Sequence, residues 1–406
     1  VPEKKHRLFF ALFLVAVFAF SLSIDKARRN QGGFLSDEAT YFAMIQSLAL
    51  DGDLVYQRQD IARIKDRFWV GPMGLFLKKN PDGRLTYSKS PAYPLLAAPF
   101  FLLLDNHGIL LCNGLMLFFC LLMGYLLLAA YHPPEKSLSF VLVFIFCSVT
   151  PVYIWWFTAD LFNFFVMFSG LFFFFYPFAK KNLRLLAAPF FALAIFSKPS
   201  SLIPIAVILL ILPFRRRWKE TIVFGLLLAL FLGLLTAFYY SQSGTFNFMG
   251  GDRRTFYGQY PYEQPGYTFE KAHQMTASDY WERFYLTPEI AVHNLFYYFF
   301  GRYTGLLVYF FPALFLLLLF FLQKKESEDW FILTAIITGI LTLTLLAPEN
   351  YFGGGGSLGN RYFLTIFPLF FFLGYRQRLF RLVFLPLVAG VLFLLPLLVD
   401  GIHHSA

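Results

Sequence analysis

Charge is what this chain lacks most. Asp, Glu, Lys and Arg make up 14% of its 406 residues, against roughly 25% in soluble domains. That deficit excludes an ordinary water-soluble globule. Cysteine is scarce as well. Cys112, Cys120 and Cys147 are the only three, and all lie inside apolar runs. This excludes a disulfide framework and a thiolate metal site and leaves buried packing as their role. The first apolar run, Leu8 to Ile24, lacks a small-residue cleavage site and so reads as a retained helix. There is no internal repeat and no heptad pattern. Gly353 to Gly356 lacks the Gly-Lys-Ser/Thr that would make it a phosphate-binding P-loop. His403-His404 has no second ligand pair, so no metal site is expected there.

What is present is apolar: 58% hydrophobic residues, with Phe alone appearing 56 times. This is the composition of a polytopic membrane protein, and the expected fold class is all-α. About eleven spans are expected, using ~20 apolar residues per span as the guide. They lie near 8–24, 109–131, 138–157, 160–179, 184–197, 202–213, 221–240, 304–322, 330–347, 361–375 and 381–399. The shorter run Pro91 to Leu104, bracketed by prolines, reads as a re-entrant or interfacial helix.

The net charge of +10 does not imply nucleic acid, because basic residues of membrane proteins gather in cytoplasmic loops. With Lys4, Lys5 and Arg7 inside, alternation also places Lys136, Lys180-Lys181, Arg215-Arg216-Arg217, Lys324-Lys325 and Arg376/Arg378/Arg381 inside. Every short basic cluster then falls on one side. Two long segments fall outside, 25–108 and 241–303, with short outer loops at 197–201 and 348–360. The expected organisation is a transmembrane core over 1–240 that includes the first outer loop. The second outer loop, 241–303, and C-terminal helices over 304–406 follow. No separate soluble domain is expected, so function is assigned to the outer loops and the outer ends of the spans.

Just after the first span stands "SDEATYFAMIQSLALDGDL". Ser36 is a good N-cap, residues 37–50 hold no Gly or Pro, and Gly52 suits a left-handed stop. Phe42, Ile45 and Ala49 with Tyr41, Met44 and Leu48 form an apolar face, which predicts a helix lying along the membrane surface. Asp37 and Glu38 in its first turn are favoured by the helix dipole whether or not they do chemistry. Asp51-Gly52-Asp53 spells a D-x-D sequence but reads as a turn.

This stretch, followed by "YSKSPAYPLLAAPFFLL", resembles the first outer loop of GT-C superfamily glycosyltransferases. These integral-membrane enzymes include protein O-mannosyltransferases and lipid A aminoarabinose transferases. In them an Asp-Glu pair opens a juxtamembrane helix after the first span, and a proline- and aromatic-rich helix precedes the second. Where members often read H-x-P-P-L-Y, this chain has Ser88 to Pro94 and no His. "TADLFNFF" resembles the family's second acid, "FSKPSS" its Lys-containing outer hairpin, and "GNRYFLTIFP" a late Arg-Tyr motif.

The resemblance implies transfer of a sugar from a polyprenyl phosphate to an acceptor hydroxyl, with inversion. Such a reaction needs a base for the acceptor proton and cations for the leaving phosphate. Asp37 is the first candidate for the base, with Glu38 orienting the site or capping the helix. Asp160 positions the acceptor or shares the base role. Lys198, Arg361 and Lys89 are candidates for the phosphate, and Arg253, Arg254, Arg302 and Tyr362 stand second for donor or acceptor. Lys198 draws attention on its own account. The runs beside it rise only about 20 Å each against a ~30 Å bilayer core, which places the hairpin tip below the surface. An intramembrane Lys is functional by default, although snorkelling is its ordinary alternative. Arg361 has the alternative of an interfacial anchor.

With several cations facing one phosphate, no obligatory divalent metal or other cofactor is expected beyond the lipid-linked donor. The expected partners are membrane lipids, the polyprenyl-phosphate sugar and a glycan, lipid or protein acceptor. The expected location is a bacterial plasma membrane, with the site facing the periplasm or exterior. The alternative is a transporter or flippase of a lipid-linked or anionic substrate. Such proteins usually show broken helices and midplane acids within repeats, whereas here the acids gather at one face.

Overall fold

Phenylalanine packing organises the centre of the molecule. Phe144 stacks on Phe367 with ring centroids 4.2 Å apart, and Phe168 meets Phe371 at 5.1 Å. Small residues let these helices approach. A Cβ on Gly124 would stand 2.6 Å from Val141, and one on Gly170 would stand 2.5 Å from Phe191. Close helix crossings in membranes are built on such residues.

The computed structural model describes residues 4–24, 37–67, 72–177, 181–249, 251–272, 274–276, 285–354, 358–376 and 384–399. Ser36, Lys180, Gly355-Gly356, Arg378, Arg381 and His403-His404 lie outside the described residues. The longer helices are α1 (Lys4–Ser23), α2 (Asp37–Leu50), α3 (Arg58–Arg67), α4 (Ala92–Leu104), α5 (Asn106–Ala129), α6 (Pro134–Phe146), α7 (Ala159–Phe175), α8 (Ala187–Ser197), α9 (Leu202–Leu209), α10 (Trp218–Ser243), α11 (Pro288–Phe300), α12 (Phe311–Leu322), α13 (Ser327–Leu346), α14 (Phe367–Gly374) and α15 (Phe384–Val399). The described chain is mostly helical, as expected.

Among the described residues, α1, α5, α10 and α13 are long and apolar enough to cross a membrane. The expected count of about eleven spans does not follow from helix length, because the remaining apolar stretches are shorter or broken. The expected span 138–157 stops at Phe146 and resumes as a 3-10 turn, Thr150–Trp155, with Pro151 near its start. The expected span 361–375 is a 3-10 turn, Arg361–Thr365, followed by α14 with Pro368 in its first turn. Proline supplies no backbone N–H and is tolerated at these starts.

The all-α expectation needs one correction. A four-stranded antiparallel sheet runs in the order β2-β1-β3-β4, where β1 is Met73–Lys79, β2 Leu85–Tyr87, β3 Arg253–Tyr257 and β4 Gln274–Thr276. The hairpin β1-β2 turns at Asn80 to Gly83, and the Gly83 N–H donates to the Asn80 carbonyl at 2.9 Å. Strand β3 comes from the second long segment and pairs Phe76 with Thr255 and Lys78 with Arg253. The two segments expected as separate outer loops therefore share one sheet.

That sheet changes the reading of α2. A surface helix with one apolar face was expected, yet residues 38–47 are all buried, polar Thr40, Gln46 and Ser47 included. On one side α4 covers it, with Tyr41 against Tyr93 and Phe42 against Phe101. On the other side stands β1, whose Phe76 N–H donates to Thr40 Oγ1 at 3.0 Å. The helix stops where Gly52, at φ +74°, donates its N–H to the Ser47 carbonyl, as a left-handed C-terminal stop requires. Asp51-Gly52-Asp53 is the turn expected. Asp53 Oδ1 accepts from the Val55 N–H at 3.0 Å, and Asp51 pairs with Arg63.

Candidate active site

The first turn of α2 delivers Asp37 to a cluster of cations drawn from distant parts of the chain. Lys89 Nζ lies 2.6 Å from Asp37 Oδ1, and Arg361 Nη2 lies 2.5 Å from Oδ2. Arg361 Nη1 is also 3.7 Å from Asp160 Oδ2. These side chains keep only 9–17% of their surface exposed. The two cations hold the Asp37 carboxyl well below the usual carboxylate range, against the opposing effect of its burial.

Each of these groups is held by local structure. Asp160 sits in the first turn of α7 and accepts from Thr158 Oγ1 at 2.8 Å. Glu38 faces away from Asp37, where its Oε1 accepts the Phe157 N–H at 2.9 Å. It thus ties the start of α2 to the chain that enters α7. Asn113 on α5 adds a second tie, donating from Nδ2 to the carbonyls of Ile154 and Trp156 at 3.0 and 3.1 Å. Arg361 follows Asn360, whose Oδ1 caps the 3-10 turn by accepting the Phe363 N–H at 3.2 Å. Gly353 presses on the Arg361 stem: its φ is +100°, and a Cβ there would lie 2.4 Å from Arg361 Cγ. Only glycine combines that backbone with that approach.

Lys198 lies at the tip between α8 and α9, with its Nζ 3.5 Å from the ring centroid of Tyr362. Among the described residues its ammonium has no carboxylate or hydrogen-bond partner. Burial pushes its ammonium down to about 7, outweighing the opposite pull of Asp160. Such a depressed value beside charged groups marks a functional candidate. Phe76 on β1 carries two further cations, Lys89 Nζ at 4.3 Å and the Arg253 guanidinium at 4.9 Å.

The structure therefore brings together Asp37, Lys89, Asp160, Arg253, Lys198, Arg361 and Tyr362. It does not bring Arg254 or Arg302 to them. Arg254 neighbours Arg253 on β3, and successive strand residues face opposite ways. Arg254 pairs with Asp252 at 3.1 Å and lies over Phe269. Arg302 is exposed over Tyr303. Sequence reasoning missed Tyr41, which is buried beside Asp37, Asp160, Arg361 and Tyr362. Its signal was its position one helical turn after Asp37.

Two buried donors here, Arg253 Nε and Arg361 Nε, have no acceptor among the described residues. Unpaired buried donors are costly. Among the described residues, no three His, Cys, Asp or Glu side chains come together as a metal would need.

The fold is similar to that of ArnT from Cupriavidus metallidurans. Its crystal structure bound to undecaprenyl phosphate matches with a TM-score of 0.52 at 12% identity, over 96% of this chain and 60% of ArnT. The apo structure matches with a TM-score of 0.51 at 11% identity, over 95% and 59%. The chain thus spans about three fifths of the length of the ArnT structures it matches. No family model matches the chain, and no curated protein matches it by sequence.

Proposed function

We propose that the protein is an inverting glycosyltransferase. It moves a sugar from a polyprenyl-phosphate donor to an acceptor hydroxyl of a cell-envelope glycan, lipid or protein, on the outer face of a bacterial plasma membrane. The observation that carries this reading is the meeting of Asp37, Asp160, Lys89, Lys198 and Arg361 at one site, with buried donors left unpaired. The undecaprenyl phosphate in the ArnT structure supports a lipid phosphate as the anion.

The chemistry follows from the charges. The acceptor oxygen attacks the anomeric carbon opposite the phosphate, and the bond from that carbon to the phosphate oxygen breaks. The electron pair leaves with the lipid phosphate, where Lys89, Lys198 and Arg361 stabilise it. Asp37 takes the acceptor proton, and Asp160 positions the acceptor hydroxyl or shares that role. In the empty protein Asp37 is too well paired to be a good base. A phosphate that draws Lys89 and Arg361 onto its own oxygens removes that pairing and raises the proton affinity of Asp37. Donor binding and base activation are then one event. Glu38 acts as a positioning residue through the Phe157 backbone. Because the leaving charge is met by side-chain cations, the reaction proceeds without an obligatory divalent metal.

The test is reconstitution of the full chain in liposomes with radiolabelled polyprenyl-phosphate sugars and candidate acceptors, with and without EDTA. A covalent glycosylated product that persists in EDTA is expected. Movement of the labelled lipid between leaflets without any product would replace this reading with a flippase. Loss of product on chelation, restored by a divalent ion, would overturn the metal-free reading alone.

A further inference from the structure

A second charged site lies at the other end of the helices that carry the first. Helix α7 leads from Asp160 to Phe175, a rise of about 25 Å over its length. Helix α8 starts three residues after Arg184 and ends at Ser197, next to Lys198, and Arg376 follows the end of α14, the helix that comes after the turn at Arg361. At this far end a cavity of about 490 Å³ is lined by Arg184, Arg215, Arg217, Arg376, Glu326 and Glu328.

Four arginines converge there on shared carboxylates, with buried Asp329 a further acid facing Arg376. Arg184 and Arg217 share Glu220, at 3.0 and 3.4 Å. Arg215 and Arg376 share Glu328, at 3.0 and 2.6 Å, and Arg376 also reaches Glu326 at 2.6 Å. Four guanidiniums thus share three carboxylates. Each guanidinium has five N–H donors in a planar fork, and Arg184 also donates from Nε to the Phe174 carbonyl at 3.2 Å. Arg216 takes φ +55° as the left-handed stop of the helical turn before it, where the Arg217 N–H donates to the Leu212 carbonyl and the Arg216 N–H to the Pro213 carbonyl, both at 2.9 Å. That stop sets Arg215 and Arg217 at the cavity. On either side of that turn the exposed side chains Leu210, Phe214, Trp218 and Ile222 recur every four residues as an apolar strip.

We propose that this cavity binds the phosphate headgroup of an anionic phospholipid whose acyl chains run along that strip. A guanidinium fork matches phosphate oxygens, and an anion tethered to hydrocarbon is the ligand that satisfies cavity and strip together. A basic pocket between helices at a membrane face is suited to such a headgroup. The site is separate from the proposed sugar-transfer chemistry and stands whether or not that chemistry is confirmed.

The test is thermal unfolding of the delipidated full chain with phosphatidylglycerol, phosphatidylcholine or inorganic phosphate. The same titrations are run on R215Q/R217Q. Phosphatidylglycerol should raise the wild-type midpoint, while phosphatidylcholine and inorganic phosphate leave it nearly unchanged. The double variant should bind phosphatidylglycerol more weakly, by about fivefold for each arginine removed. An equal shift with inorganic phosphate would show a free-anion site and overturn the lipid assignment. An equal response of variant and wild type would overturn the site. Should the variant not fold, native mass spectrometry of the wild type decides. Preferential retention of phosphatidylglycerol supports the proposal, and equal retention of both lipids overturns it.

Discussion

Replacing Asp37 with Asn should do two opposite things, and the contrast is diagnostic. Asp37 now occupies the cations that a lipid phosphate would use, at 2.6 Å from Lys89 and 2.5 Å from Arg361. Asn has nearly the same shape but no charge. In the empty protein it leaves two buried cations short of a counter-ion, and breaking a buried pair in this way costs about 3–5 kcal/mol. Phosphate then enters without displacing a carboxylate. If the displaced carboxylate cost the ligand the equivalent of one charged hydrogen bond, about 1.5–3 kcal/mol, its removal tightens binding roughly ten- to hundredfold. Sugar transfer should fall to background, because the amide accepts no proton. The assays are direct binding of a short-chain polyprenyl phosphate, thermal unfolding with and without it, and single-turnover transfer. Asp37→Asn should unfold earlier when empty, recover disproportionately with ligand, bind more tightly and transfer nothing. Unchanged or weaker phosphate binding would refute the idea that Asp37 holds the place of the phosphate.

Three further outcomes are expected. Lys198, held down to about 7, is charged below that pH and mostly neutral above it, so binding an anion above pH 7 requires proton uptake. Donor affinity should therefore fall between pH 7 and 9, by up to tenfold per unit for one proton, and Lys198→Met should abolish that slope in a titration of Kd against pH. Glu38→Ala orphans the Phe157 N–H, which should cost about 1–3 kcal/mol in denaturant unfolding. It should also lower kcat with little change in donor Kd. Gly353→Ala should strain a φ of +100° and displace Arg361, costing about 1–3 kcal/mol and weakening donor binding measured by the same titration.

The sequence was most legible where the argument was local. The helix 37–50, its glycine stop and the D-x-D turn followed from propensity and turn chemistry within a few residues. The lone lysine of "FSKPSS" was legible because two short apolar runs flank it. What was not legible required pairing across the chain. Strand β1 is one short run in an outer segment, and its partner β3 lies about 180 residues later, so neither alone announces a sheet. The missing sheet then caused the second error, since a helix covered on both sides loses its expected membrane-facing surface. The contact of Asp37 with Arg361, 324 residues apart, follows from no local rule. Nor does Gly353, whose reason is the arginine stem it touches. Within β3, alternation did hold a usable signal: of two adjacent arginines, only one meets the Phe76 face.

The central claim is that one lipid phosphate unites the cations at Asp37. It is tested most directly by a structure of the full chain with a polyprenyl phosphate bound. The account predicts the phosphate oxygens within hydrogen-bonding distance of Lys89, Lys198 and Arg361, with Asp37 separated from at least one of its two present partners. A phosphate bound elsewhere, with the Asp37 pairs to Lys89 and Arg361 intact, would contradict it.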